Sequence, residues 1–73
     1  MIRYKNGESG VQAYECGGEF IRIQFADGSI YLYTYESAGS SNIEEMIRLA
    51  QSGKGLNTFI NKYVRGNYAK RER

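Results

Sequence analysis

Few side chains in this sequence can do chemistry, and local structure accounts for most of those. The chain has no histidine, so the commonest general base and metal ligand is missing. Cys16 is the single cysteine. At the expected end of a strand and without a histidine partner, it reads as a small packed or partly exposed thiol rather than a nucleophile. Asp27, followed by Gly28, reads as a turn residue. Glu44 and Glu45 are neighbours on an expected helix and point about 100° apart, so they do not form a carboxylate pair. The expectation is no catalytic residue, no metal and no cofactor, and hence no enzyme.

Binding chemistry is better represented. Residues 1–50 carry four Lys/Arg against seven acids, a balance of −3, whereas residues 51–73 carry Lys54, Lys62, Arg65, Lys70, Arg71 and Arg73 against Glu72 alone, a balance of +5. Such asymmetry points to an anionic partner at the C-terminal end, although a solvated tail would look the same. Lys54, Lys62, Arg65, Lys70 and Arg71 are the candidate phosphate contacts, with Tyr31 and Tyr33 as candidate stacking residues and Phe20 beside Arg22 as a further one. Ser52-Gly53-Lys54-Gly55 resembles a phosphate loop but lacks the longer spacing after a strand that nucleotide binding needs. It reads as an interhelical turn, compatible with a weak phosphate contact from Lys54.

The elements that must position these residues follow from periodicity. Val11–Cys16 and Glu19–Phe25 flank Gly17-Gly18, a tight-turn signal that sets Cys16 opposite Glu19 and Tyr14 opposite Ile21. Ile21, Ile23 and Phe25 alternate with Arg22 and Gln24, so the apolar three share one face with Tyr14. Ala26-Asp27-Gly28 leads into a third strand, residues 29–35. A two-residue loop would set Tyr31 opposite Gln24 and Tyr33 opposite Arg22, an aromatic-basic platform outside the core. A three-residue loop with a left-handed Gly28 would set them opposite Ile23 and Ile21, inside it.

Residues 36–40 form the loop out of the sheet, and no helix is expected before residue 36. Ser41-Asn42-Ile43-Glu44 fits a capping box. Ile43, Met46, Ile47 and Ala50 then follow at helical spacing to a stop at Ser52-Gly53, with Glu44 and Arg48 four apart on the outer side. A second helix spans about residues 56–64, with Leu56, Phe59, Ile60, Tyr63 and Val64 on one stripe. Residues 1–10 read as a lead-in and residues 67–73 as a frayed basic tail. The predicted fold is α+β, a three-stranded antiparallel meander followed by two short helices packed on one sheet face, with Ile21, Ile23, Phe25, Ile47, Phe59 and Ile60 in the core.

At 73 residues there is room for one domain and one thin core. A hydrophobic content of 41% and an aromatic content of 14% suffice for that core. One cysteine allows no intramolecular disulfide, and no apolar run at the start serves as an export signal, so the cytoplasm is the expected compartment. No stretch approaches the ~18 apolar residues that span a bilayer, and no membrane association is expected.

From Ser9 onward the sequence resembles the KTSC domain, a short module of some lysyl-tRNA synthetase C-termini that also occurs as a stand-alone bacterial protein. The resemblance rests on Ser9 and Val11, Tyr14-Glu15, Ile21-x-Ile23-x-Phe25, Gly28, Tyr31-x-Tyr33, Ala50-x-Ser52, Gly55, Phe59-Ile60 and Tyr68. This chain departs from the family pattern in having Gly17-Gly18 in place of a longer turn and no proline after the Tyr-x-Tyr strand. The resemblance implies tyrosines that face inward and no established activity, RNA binding being the usual suggestion. Two functions are therefore expected to compete. One is a binding module for RNA or another polyanion; the other is a protein-interaction or self-association module that pairs a sheet edge such as Val11–Cys16 with a partner strand.

Overall fold

The chain forms an α+β fold in which helices cover one face of an antiparallel sheet. A computed structural model describes residues 1–5 and 10–73; Ser9, one of the residues behind the family resemblance, lies outside the described residues. The elements in chain order are β1 (Ile2–Arg3), β2 (Val11–Cys16), β3 (Phe20–Phe25), β4 (Ile30–Thr34), a helical turn α1 (Tyr35–Ala38), helix α2 (Ser40–Ser52), helix α3 (Leu56–Phe59), which runs on as a π-helical turn over Ile60–Val64, and β5 (Lys70–Arg71). The strands pair antiparallel in the order β1-β2-β3-β4-β5. Among the described residues the sheet thus has five strands, not the expected three. The two additions are outermost and two residues long, too short for alternation to announce them.

The turn after β3 decides which way the tyrosines face. Phe25 N donates to Ser29 O (2.8 Å) and Gly28 N to Phe25 O (2.9 Å), which encloses a three-residue loop. Gly28 sits at φ +90°, a conformation that L side chains resist. Asp27 Oδ1 braces the loop by accepting from Ser29 N (2.9 Å) and Ser29 Oγ (2.6 Å). Tyr31 consequently lies opposite Ile23 and Tyr33 opposite Ile21. This is the bulged alternative, and it drives Tyr33 into the core at 1% exposure.

The first hairpin differs from its expected register. Cys16 lies opposite Ile21, Glu15 opposite Arg22 and Tyr14 opposite Ile23. Gly17 N donates to Phe20 O (3.1 Å), so the reversal falls on Gly18 and Glu19. Neither Gly17 nor Gly18 uses a positive φ. Gly17 is needed for clearance instead, since a Cβ there would lie 2.4 Å from the Phe20 ring. Tyr14 changes partner by two positions, an even step, and so keeps the face of Ile21 and Ile23.

The helices begin earlier than capping chemistry suggested. The capping box belongs to Thr34, not Ser41: Ser37 N donates to Thr34 Oγ1 (3.1 Å) and Thr34 N to Ser37 Oγ (3.0 Å). This starts a helical turn at Tyr35, inside the segment expected to be strand and loop. Gly39, at φ 92° and ψ 144°, then re-aims the chain, and Ile43 N donates to Gly39 O (3.0 Å) in the first turn of α2. Ser41 and Glu44 thus lie inside the helix rather than at its cap. Glu44 accepts from the Tyr35 hydroxyl (3.0 Å), and Arg48 pairs with Glu45 (3.0 Å) in place of Glu44. The helix stops as expected at Gly53, left-handed, whose N–H donates to Leu49 O (3.0 Å).

Ile43, Met46 and Ala50 of α2 meet Leu56, Ile60 and Val64 of the second helical segment over Tyr14, Ile21, Ile23 and Tyr33. Of the expected core, Phe25, Ile47 and Phe59 are half-buried at its margin. Tyr63 is exposed, contrary to its place on the predicted stripe. The wider π turn carries it off that stripe and leaves its ring tilted against Phe59 at 4.9 Å.

Both ends of the chain are structural. The expected lead-in supplies β1 and a buried Tyr4, whose hydroxyl accepts from Leu56 N (3.2 Å) at the start of α3. β1 also pairs with β2, so Val11–Cys16 is an interior strand and not the free edge foreseen for a partner. The expected frayed tail instead closes the opposite edge. Ala69 N donates to Leu32 O and Glu72 N to Ile30 O (2.7 Å each), and Glu72 takes Arg22 Nε at 2.6 Å. An unpaired β4 edge is what this tail satisfies.

A candidate aromatic-basic groove

A groove of about 490 Å³ lies between the β3–β4 turn, the π-helical turn and the tail. Its volume falls in the range of ligand pockets. Its aromatic side is built by alternation: β3 ends in Phe25, and Tyr31 and Tyr33 follow two apart on β4. Tyr68 is brought over them by the returning tail. Phe25 meets Tyr31 edge-on at 5.5 Å, Tyr31 meets Tyr68 at 4.7 Å, and Tyr33 meets Tyr68 at 6.5 Å. Burial pushes the Tyr33 hydroxyl up to about 12, with Tyr31 and Tyr68 adding to it. At neutral pH it stays a neutral donor.

The polar side comes from two elements. Asp27 and Ser29 line the groove from the turn, and Asn61 and Arg65 from the π-helical segment and the residue after it. The Ser29 hydroxyl, then its amide, and more weakly Arg71, hold the Asp27 carboxyl below the usual carboxylate range. A smaller hollow of about 230 Å³ continues past Asp27 and Ser29 to Gly28, Arg71 and Arg73. The Arg71 guanidinium stands 5.5 Å from the Tyr31 ring centroid, and its Nε donates to Arg73 O (3.2 Å).

Four of the eight candidates read from the sequence therefore line the groove or the hollow beside it: Tyr31, Tyr33, Arg65 and Arg71. The other four do not. Lys70 pairs with Leu32, whose face carries Arg22, so it projects from the opposite side of the sheet. Lys62 lies over the exposed Tyr63 ring at 5.6 Å, and Lys54 is exposed in the turn between α2 and α3. Ser52–Gly55 makes that interhelical turn, with Ser52 Oγ accepting from Lys54 N (3.4 Å).

The outer sheet face is poorly suited to phosphate. Arg22 stands 5.4 Å over the Phe20 ring, but its guanidinium is already taken by Glu15 and Glu72, both at 2.6 Å. Sequence reasoning missed Asp27 as more than a turn residue, and it missed Ser29, Asn61 and the wall made by Tyr68. The only signal for Tyr68 was the family pattern, because a tail read as frayed has no partners to suggest.

Among the described residues no three His, Cys, Asp or Glu side chains converge as a metal site would require. No helix among them is long and apolar enough to cross a membrane. Comparison with protein-family models, with curated proteins and with solved structures finds no match.

Proposed function

We propose that this domain is a small non-enzymatic binding module of the KTSC kind, taking single-stranded RNA in the groove between Tyr31, Tyr68 and Arg65. The observation that carries the reading is the meeting of aromatic rings with the Arg65 guanidinium in one groove, and of Arg71 with the Tyr31 ring at its border. Unpaired bases stack on such rings regardless of sequence, and guanidinium is the side chain best matched to phosphate. The +5 balance of residues 51–73 supports an anionic ligand. A cytoplasmic site fits, since RNA is abundant there and a lone Cys16 stays reduced.

Fluorescence anisotropy with a short mixed-sequence RNA tests it. Affinity should fall steeply between about 50 mM and about 200 mM salt, as counterion release requires. Undetectable binding at the lower salt would end the RNA reading. A second reading, self-association or protein interaction, draws on the outer strand β1, where Ile2 (58%) is exposed, and on Met1 (53%) just before it. Edge pairing through that strand would be insensitive to salt.

A further inference from the structure

Resting on the RNA reading above, we infer that the bound strand follows one defined track, with a base in the aromatic groove and its flanking phosphates on Arg65 at one end and Arg71 with Arg73 at the other. The basic segment 51–73 is thereby divided into cations that bind and cations that do not.

The two hollows share Asp27 and Ser29 as lining residues and so adjoin one another. Arg65 lines the first, and Arg71 and Arg73 line the second. A base next to Tyr31 and Tyr68 would thus have a cation on either side, which is the spacing logic of a nucleotide unit, a flat ring between two phosphates. Charge complementarity agrees. Among the described residues neither Arg65 nor Arg73 forms an ion pair with a carboxylate, whereas Arg22 and Arg48 are both engaged. Asp27, the one carboxylate that lines either hollow among the described residues, accepts both bonds from Ser29 on a single oxygen, so its second oxygen can accept from a base amino group. Lys54, Lys62 and Lys70 border neither hollow. Side-chain alternation along β5 explains Lys70, since its neighbour Arg71 shares the side of Tyr31 and Lys70 takes the opposite one.

The test compares two charge-removing variants of the full chain against one short single-stranded RNA, with anisotropy read across a salt series. In Arg65→Gln/Arg71→Gln the slope of log affinity against log salt should flatten by about 1.4, roughly 0.7 for each phosphate no longer neutralised. Lys54→Gln/Lys62→Gln/Lys70→Gln should leave slope and affinity near those of the wild type. Tyr31→Leu should weaken binding roughly five- to 150-fold with the slope unchanged, because it removes stacking and no charge. Thermal melts identify any variant that has lost its fold, and Arg73→Gln, at an exposed position outside β5, gives an independent reading of the second hollow. If the lysine variant flattens the slope and the arginine variants do not, the track is wrong while RNA binding stands. If the wild type binds no RNA at low salt, the functional reading itself has failed.

Discussion

Tyr68 stands edge-on to Tyr31, ring centroids 4.7 Å apart and planes at 75°, and so fastens the last residues of the chain to the sheet. Together with the backbone bonds of Ala69 and Glu72 to β4, this packing makes the tail a wall of the groove.

Replacing Tyr68 with Ala should therefore cost stability as well as ligand. Edge-to-face pairs contribute about 0.5–1.5 kcal/mol beyond the area they bury, so a total loss of about 1–2 kcal/mol is expected from urea unfolding. A loss under about 0.3 kcal/mol would mean that residues 67–73 are detached in solution.

Ile23 is fully buried between Tyr14 and Tyr31 on its neighbouring strands. Its truncation to Ala removes core methyl groups and leaves a cavity, at about 2–5 kcal/mol. That is a large share of a small domain's stability, and a midpoint shift corresponding to less than half a kcal/mol would mean that the strand faces are inverted.

The Tyr33 hydroxyl titrates at about 12 in the folded chain against an ordinary 10.0. On raising the pH the unfolded chain gives up this proton first, so the folded state binds more protons across that window and stability falls as pH rises through it. The contribution is fully present below pH 10. Urea midpoints measured between about pH 10 and about pH 12 should decline less for Tyr33→Phe than for the wild type. Tyr14 and Tyr35 are raised in the same direction and supply the residual decline. Equal declines for both proteins would refute the buried position of Tyr33.

Cys16 is half-buried with no histidine to activate it. Cys16→Ser should leave RNA affinity within about twofold of the wild type by anisotropy, as substitutions away from a binding surface do. Loss of all binding would bring the thiol back as a chemical group.

Much of the central sheet was legible because its signals are local. Ile21 and Ile23 alternate with Arg22 and Gln24, and Gly28 marks the turn that follows. The choice between two registers for Tyr31 and Tyr33 was not legible in the turn residues alone, because both loops use the same three residues; only the family pattern pointed inward, and the left-handed Gly28 with the Asp27–Ser29 bonds is what closes the three-residue loop. The displaced capping box has a similar cause. Ser41 with Glu44 and Thr34 with Ser37 are both acceptable locally, and Gly39 is what lets the chain begin α2 early. The edge strands were invisible for a different reason. Ile2–Arg3 and Lys70–Arg71 owe their extended form to backbone groups of β2 and β4 that are distant in sequence. The same holds for the groove, whose Tyr68 and Arg71 reach Tyr31 only through that pairing.

The most direct test of the groove as the binding site is an amide chemical-shift titration of the labelled protein with single-stranded RNA at low salt. Shifts should concentrate at Phe25 to Tyr31, Ile60 to Arg65 and Tyr68 to Arg73, the segments that enclose the two hollows. Shifts confined to β1 and β2, to the Lys54 turn or to the outer-face residues Phe20 and Arg22 would contradict it.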